Sequence, residues 1–193
     1  MTHPTIPRPI APVIHRSLLV DEARLAADVY LRDGDWDVAT DFLLIPHASS
    51  LGRVDVAALT VRLMHLDSRG HLAYVAAAPA HDRTHLMWIA ACLHNDLVAE
   101  FATTILCHAH DTGTPVTLPQ VDALVDARRD DFLPGFHLLR TSFVRDNLLY
   151  LAGDAGLLAT DGIVPTTTIS PGLRTHLAAT DPVALTYLPG ATQ

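Results

Sequence analysis

Two groups of histidine and cysteine side chains are the clearest candidates for metal chemistry in this sequence. His81 and His85 are four residues apart, which would place both imidazoles on one helical face. Cys107, His108 and His110 form the second group. If one continuous helix joins the two groups, about 25 residues separate them by roughly 40 Å, which is too far for one site. We therefore expect no bound metal and no cofactor.

The sequence contains none of the familiar motifs for nucleophilic or acid–base catalysis. The sequence has no Gly-x-Ser-x-Gly elbow and no phosphate-cradling glycine loop, and neither Cys92 nor Cys107 has a clear base partner in sequence. Asp126 and Asp130 are four residues apart, where two carboxylates repel each other on a solvated helix face. We therefore expect a protein that is not an enzyme.

Arginine is the remaining residue type with binding potential. All 13 basic residues are arginine, so each could make bidentate contacts to phosphate or guanine. Codon bias in a GC-rich genome would give the same excess of arginine without any binding role. The net charge of -8 also opposes non-specific attraction to a phosphate backbone. A nucleic-acid role therefore requires several arginines to gather on one face of the folded protein.

The third predicted helix carries the first set of candidate DNA contacts. Ser49 and Ser50 are plausible N-caps and Arg53 follows them, so all three lie at the positive end of the helix dipole, where a phosphate is favoured. Arg62 lies further along the same helix. The alternative is that Arg53 is an ion-pair residue with a structural role.

A later helix, predicted over 134–153, carries the second set of candidate DNA contacts. Thr141 and Arg145 share a face at a spacing of four residues, and Arg140 flanks the apolar stripe. The alternative is that Arg145 forms a surface ion pair with Asp131 or Asp146.

The elements that must position these residues are mainly helices. The third helix has two apolar stripes, which are Val54, Ala57, Val61 and Met64 on one side and Val56, Leu59, Leu63 and Leu66 on the other. Trp36 should anchor the core between the first two helices. Apolar periodicity, caps and breakers predict helices over 18–32, from 35, and over 49–66, 71–78, 83–110, 118–132 and 134–153.

The end of the last of these helices resembles a winged-helix module. An apolar stripe of Phe136, Leu139, Phe143 and Tyr150 leads to Gly153 and Gly156. The segments 157–160 and 163–164 flank Asp161-Gly162, a dipeptide that favours a tight two-residue hairpin turn. The alternative is that Leu157 and Leu158 merely pack the end of the helix.

These patterns predict an all-α fold with three parts. Residues 1–16 form an extended proline-rich arm, residues 17–112 an N-terminal multi-helix bundle, and residues 113–193 a C-terminal winged-helix-like unit with a small β-hairpin. No signal sequence and no apolar run of about 20 residues is present, so we expect a cytoplasmic protein without a membrane span. The two cysteines are expected to be free thiols.

Several of these segments together resemble the BrxA family of BREX bacteriophage-exclusion systems. The resemblance covers roughly residues 17–189 and is carried by Gly34-Asp35-Trp36, Ser49-Ser50 with Arg53, Leu86 to Ala90 with Glu100-Phe101-Ala102, and Thr141, Leu148, Gly156-Leu157-Leu158 and Leu173. It implies an all-helical, non-enzymatic protein that binds nucleic acid. The family carries more lysine and arginine on these helices than this chain does.

We therefore expect a non-enzymatic BREX component that holds double-stranded DNA through arginine side chains and helix N-termini. The alternative is an adaptor that binds other BREX proteins and does not contact DNA itself. The distribution of charge in the folded protein separates the two. The sequence leaves the oligomeric state and any DNA sequence preference open.

Overall fold

Helices make up all the regular secondary structure that the computed structural model describes, in residues 17–45, 51–132 and 138–191. The α-helices are α1 (Val20–Asp33), α2 (Trp36–Leu43), α3 (Arg53–Asp67), α4 (Leu72–Ala77), α5 (Ala80–His94), α6 (Asp96–Glu100), α7 (Cys107–Thr112), α8 (Leu118–Ala127), α9 (Thr141–Asp154) and α10 (Pro171–Thr180). A π-helical segment, Phe101–Leu106, joins α6 to α7, and 3-10 helices cover Arg129–Asp131 and Pro182–Tyr187. The all-α prediction is confirmed.

The start of α2 shows how local sequence sets a helix boundary. The Asp35 side chain accepts a hydrogen bond from the backbone N–H of Asp37 at 2.8 Å, which caps the helix next to its predicted start at residue 35. Trp36 is only half-buried and stacks on Tyr30, with ring centroids 3.9 Å apart. Trp36 packs against the hydrophobic core and joins α2 to α1, as predicted, while the fully buried tryptophan is Trp88 in α5.

Helix α5 is the axis of the hydrophobic core. Every residue from Leu86 to Leu93 is buried, and the Trp88 indole donates a hydrogen bond to the Tyr187 carbonyl at 2.8 Å. Buried residues from Leu18 to Ala191 belong to one hydrophobic cluster. The two helical units predicted on either side of residue 112 therefore pack around a shared core.

The long helix predicted over 83–110 is broken at Asn95. This residue has extended backbone angles, and its side chain accepts a hydrogen bond from the Leu97 N–H at 3.0 Å, which caps a new helix. The axes on either side differ by 117°, so the roughly 40 Å separation predicted for the two histidine groups does not apply. Even so, no three His, Cys, Asp or Glu side chains in the described part of the chain lie close enough to hold a metal ion.

The same break bears on the length of apolar helix. Within the described ranges, no single helix is long and apolar enough to cross a bilayer. The bent pair Ala80–His94 and Asp96–Thr112 reaches that length and composition only when both parts are taken together.

The predicted β-hairpin is wrong for the described residues, where no strand is present. A tight turn does form, since the N–H of Ala159 donates to the Ile163 carbonyl at 2.9 Å and Gly162 has a φ of 83°. The Gly162 carbonyl, however, accepts a hydrogen bond from Val116 at 2.8 Å. A Cβ atom at position 162 would lie 2.8 Å from the Val116 oxygen, so this close approach requires glycine. The turn therefore docks on the segment before α8 and does not extend into a wing.

Helix α9 ends in a Schellman motif at Gly156, whose φ is 69°. The N–H of Leu157 donates to the Ala152 carbonyl and that of Gly156 to the Gly153 carbonyl, each at 2.9 Å. Leu157 is buried beside this helix end. The alternative interpretation of the Gly-Leu-Leu sequence, that it closes a helix end, agrees with this geometry.

The predicted apolar stripe of α9 is displaced by one position. Phe143 and Tyr150 are 42% and 65% exposed. The buried positions are Val144, Leu148 and Leu151. Phe136, which began the predicted stripe, lies outside the described residues, as does the predicted helix start at Pro134. Phe143 and Tyr150 therefore form exposed apolar surface on a second face of helix α9.

Candidate interaction surfaces

Arg62 is buried in the core, so the structure corrects its prediction as a DNA contact. Its side chain is 3% exposed, and Nη1 donates to the Ser17 carbonyl at 3.0 Å. Burial lowers the pKa of this guanidinium to about 10, and the negative charge of Asp154 opposes that shift. Arg62 thus ties α3 to the start of α1 and cannot reach a phosphate from that position.

The N-terminus of α3 is capped from within the chain. The Asp55 carboxylate accepts a hydrogen bond from the Gly52 N–H at 3.3 Å, so a negative charge already lies where a phosphate was predicted to bind. Arg53 is exposed, and its side chain makes no hydrogen bond or ion pair with another described residue. Ser49 and Ser50 lie outside the described residues.

Thr141 and Arg145 of α9 are engaged with α8. Thr141 Oγ1 donates to Asp126 Oδ1 at 2.6 Å and accepts a hydrogen bond from Arg129. The Thr141 and Arg129 hydrogen bonds lower the pKa of the Asp126 carboxyl. Arg145 Nη1 lies 2.9 Å from Asp122 Oδ2.

The remaining contacts of this region separate Arg145 from Arg140. Arg145 Nε donates to Asp146 Oδ1 at 3.0 Å, so the predicted alternative of an ion pair with Asp146 is confirmed, with Asp122 as a further partner. Arg140 is exposed at the N-cap of α9, and its side chain makes no hydrogen bond or ion pair with the residues that the structure describes.

Most arginines of the described ranges are held by carboxylates of the same chain. Arg174 donates to the Ala191 carbonyl at 2.7 Å instead, Arg62 is buried, and Arg53 and Arg140 are the exposed exceptions. The carboxylate pairs are Arg24–Asp28, Arg32–Asp33, Arg69–Asp181, Arg83–Asp21, Arg128–Glu100, Arg129–Asp126 and Arg145–Asp122. Each of these arginines therefore balances a carboxylate of the protein itself.

Helix α3 presents an exposed apolar stripe, which we call the α3 stripe. Its members recur at helical spacing on the side of α3 that faces away from α5 and are Val54, Ala57, Val61 and Met64. Val54 is 68% exposed. The second stripe predicted from the sequence, Val56, Leu59, Leu63 and Leu66, is fully buried. A row of exposed aliphatic side chains on one helix is typical of a protein-binding surface.

A groove of about 850 Å³ lies between α9 and the turn that ends at Gly162, and we call it the α9 groove. Its walls combine aliphatic and aromatic side chains with three carboxylates. The lining residues are Val116, Leu118, Asp146, Leu149, Tyr150, Gly153, Asp154, Leu158, Ala159, Thr160, Asp161 and Gly162. Sequence reasoning missed this groove, although the Phe143–Tyr150 stripe and the Asp161-Gly162 turn were the signals that marked its two walls.

A buried polar cluster lies elsewhere, between α4 and α10. His71 is fully buried, with Nδ1 3.0 Å from His176 Nε2 and Nε2 3.9 Å from the Asp181 carboxylate. Burial, with a smaller effect from His176, lowers the pKa of His71 to about 4. Tyr74 stacks on the His176 ring at a centroid distance of 4.4 Å. These contacts join the two helices and leave His71 neutral near pH 7.

The free thiols are placed in inert surroundings. Cys92 is buried, and Cys107 is half-buried with its Sγ 3.4 Å from the Thr186 carbonyl. Burial, with a smaller effect from Asp111, raises the pKa of the Cys107 thiol to about 11. The thiolate needed for nucleophilic chemistry is therefore disfavoured at neutral pH.

The family model of BrxA matches residues 11–118, which is more than half of the chain. The chain belongs to the BrxA family. It is therefore a component of a BREX phage-defence system. No curated protein matches the chain. The BrxA match includes all of α3 and ends at the first residue of α8, so the α3 stripe lies inside the matched range and most of the α9 groove lies beyond it.

Proposed function

We propose that the protein is a non-enzymatic adaptor that binds other proteins of its BREX system and does not hold DNA itself. The observation that carries this proposal is the exposure of the α3 stripe, because the second apolar stripe on the same helix is fully buried in the core. Exposed aliphatic side chains are unfavourable in water, and contact with another apolar surface lowers the free energy of both surfaces.

The charge distribution supports the same proposal. A DNA-binding surface gathers arginines on one face, where each cation neutralises a phosphate. Here the described arginines other than Arg53, Arg62, Arg140 and Arg174 pair with carboxylates of the same chain, and the net charge is -8. Recruiting them to DNA would leave those carboxylates unpaired beside the phosphates.

Co-purification with the other proteins of its BREX operon tests the adaptor role. The tagged protein is co-expressed with them as the wild type and as the double variant Val54→Gln/Val61→Gln. We expect the wild type to retain at least one of these proteins, and the double variant to retain about tenfold less, because polar amides would replace the centre of an apolar contact.

Val183→Gln provides a matched control, because Val183 is 59% exposed but lies in the 3-10 helix Pro182–Tyr187, away from the α3 stripe. Its retention should equal that of the wild type, and circular dichroism should show equal helix content in all three proteins. If no operon protein is retained, or if the double variant retains as much as the wild type, the adaptor proposal is wrong.

Direct binding of duplex DNA is the second candidate function. It is favoured by Arg53 and Arg140, which are both exposed at helix starts and have no partner among the described residues. Helix N-termini with an adjacent cation suit a phosphate. The resemblance of the sequence to nucleic-acid-binding BrxA proteins points in the same direction.

A gel-shift titration separates the two candidates. If DNA binding is the function, the wild type should bind duplex DNA, and raising salt from about 50 to about 200 mM should weaken binding steeply. Arg53→Glu/Arg140→Glu should then abolish the shift without changing the thermal midpoint. The adaptor proposal expects no shift at micromolar protein even at the lower salt concentration. A salt-sensitive shift that the double variant loses would replace it with the DNA-binding function.

A further inference from the structure

The α9 groove combines an apolar wall with exposed aromatic surface. Tyr150 is 65% exposed and Leu118 is 53% exposed, although both line the groove. Phe143 lies two helical turns before Tyr150 on the same side of α9 and is 42% exposed, so the apolar surface continues past the groove. Contiguous exposed apolar surface on a protein marks interaction sites.

The same groove has an acidic lining. Asp146, Asp154 and Asp161 line it, and no arginine, lysine or histidine does. Arg145 Nε lies 3.0 Å from Asp146, but the same guanidinium also pairs with Asp122, so one cation balances two carboxylates. The groove therefore excludes phosphate and favours a cation.

Backbone N–H groups orient the other two carboxylates, and the Arg62 guanidinium offsets part of the Asp154 charge. Asp154 Oδ2 accepts a hydrogen bond from the Leu18 N–H at 2.7 Å, and Asp161 Oδ1 accepts one from the Ile163 N–H at 3.0 Å. Preordered carboxylates beside the exposed ring of Tyr150 suit a guanidinium or ammonium group, which can pair with a carboxylate and lie over an aromatic face.

We propose that the α9 groove binds an extended segment of a partner protein that carries arginine or lysine next to aliphatic side chains. This inference rests on the proposed adaptor function and gives the chemistry of one of its docking surfaces. Asp146 and Asp154 lie eight residues apart on α9, or about 12 Å at 1.5 Å per residue. Four residues of extended chain cover that distance. The groove volume, about 850 Å³, lies within the range of small-ligand and peptide pockets.

A synthetic peptide with the sequence of residues 1–16 of this chain is a suitable probe. It carries Arg8 and Arg16, several aliphatic residues and no Asp or Glu. Its fluorescently labelled form is titrated with the full-length protein, and binding is followed by anisotropy. We expect saturable binding that weakens as salt rises, because ion pairs contribute to it.

Three substitutions locate the peptide on the protein. Tyr150→Ala should raise the dissociation constant about tenfold, because it removes the aromatic wall. Asp161→Asn should raise it about threefold, because asparagine can still accept the Ile163 hydrogen bond while the charge is lost. Val183→Ala, outside the groove, should leave it unchanged. A peptide with Arg8→Glu and Arg16→Glu should bind at least about tenfold more weakly.

The full-length variant Arg8→Glu/Arg16→Glu tests whether the chain's own first residues occupy the groove. If the probe binds only to Arg8→Glu/Arg16→Glu protein and not to the wild type, the chain's own first residues compete for the groove and the partner-segment proposal is wrong. If the probe binds neither protein, or if Tyr150→Ala and Asp161→Asn bind it as well as the wild type does, the α9 groove does not bind the probe and the proposal is wrong. The variant Val54→Gln/Val61→Gln should bind the probe normally. If that variant loses the operon proteins in the co-purification and the probe binds none of the proteins, the adaptor function is supported. Only the proposal for the α9 groove is then rejected.

Discussion

Helices α3 and α9 begin from similar sequence patterns and end in different surroundings. Each is about four turns long, each buries one apolar stripe and each exposes another. Helix α3 packs against α1, α2, α4 and α5, whereas α8 is the main neighbour of α9. Surrounding helices therefore decide which of two equivalent stripes becomes core, and the pattern within a helix leaves that choice open.

The exposed faces of the two helices differ in charge. The α3 stripe is aliphatic, and the nearby Asp55 is occupied in capping the helix. The exposed face of α9 is aromatic and is bordered by Asp146 and Asp154. Two helices that look alike in apolar periodicity thus present one surface suited to an apolar partner and another suited to a cationic one.

Truncating one residue of each stripe gives the largest expected effect. Leu59→Ala in α3 and Leu148→Ala in α9 should each lower the free energy of unfolding by about 2–5 kcal/mol, because both side chains are fully buried. Met64→Ala and Phe143→Ala should each change it by less than about 1 kcal/mol, because both are more than 40% exposed. Urea unfolding followed by circular dichroism measures all four. Equal losses within either helix would contradict the assignment of its two stripes.

The arginines of α3 should differ almost as much. Arg62→Ala removes a buried side chain and leaves the Ser17 carbonyl without its hydrogen bond, so we expect a loss of about 2–3 kcal/mol. Arg53→Ala, on the same helix but exposed, should stay within about 0.5 kcal/mol. The measurement is the urea midpoint at constant slope. A neutral Arg62→Ala would mean that this guanidinium is not held in the core.

Acid should destabilise the protein through His71. Its pKa is lowered from 6.5 to about 4 in the folded state, so the unfolded chain binds a proton between these values and the folded chain does not. Stability should therefore fall as pH drops through 6.5 towards 4, by about 2 kcal/mol at pH 5 from this residue alone. Urea unfolding at pH 7.5 and pH 5 measures the change in wild type and in His71→Gln.

Two other histidines contribute in the same direction, since burial also lowers the pKa of His85 and of His176. The difference in pH dependence between wild type and His71→Gln isolates the His71 part. His108→Gln is the matched control, because His108 is exposed on α7. An identical loss on acidification in wild type and His71→Gln would show that His71 is not responsible.

The smallest effect should come from the ion pair that joins α8 to α9. Arg145→Ala should cost about 1 kcal/mol at low salt and less at about 1 M salt, because the pair with Asp122 is partly shielded from water. Arg24→Ala breaks the more exposed pair with Asp28 and should cost only a few tenths of a kcal/mol. If both substitutions cost the same at both salt concentrations, the Arg145 pair has no stabilising role.

The sequence predicted the helical elements where strong local signals were present. Helix α2 began at Trp36, next to its predicted start at 35, the breaker segment after residue 110 ended α7 at Thr112, and α8 began at Leu118 as predicted. The break at Asn95 was missed, because the residues on both sides keep a broadly apolar pattern and one side-chain cap produces the turn. Such a cap ends one helix and begins another within less than one helical turn. The periodicity of the apolar residues does not reveal so short a change.

The candidate contacts were harder to predict than the helices. Arg62 fell in a gap between two apolar stripes, a position typical of a solvated residue, and only the packing of α1 against α3 turned it inward. The predicted wing failed for a similar reason. Asp161-Gly162 formed its turn, but the Gly162 carbonyl accepts its hydrogen bond from the Val116 N–H, which is distant in sequence, and not from a neighbouring strand. Long-range contacts of this kind leave no local signature in sequence.

The hydrogen bond between the Leu18 N–H and Asp154 has a consequence for the order of events on the ribosome. The two residues are 136 positions apart, and translation at about 5–20 residues per second separates their synthesis by roughly 7 to 27 seconds. During that interval α1 can pack on α2 and α4, but its first turn has no acceptor for this amide. A nascent chain arrested before residue 154 should therefore keep the beginning of α1 accessible to protease, and a chain extended well beyond Asp154 should protect it.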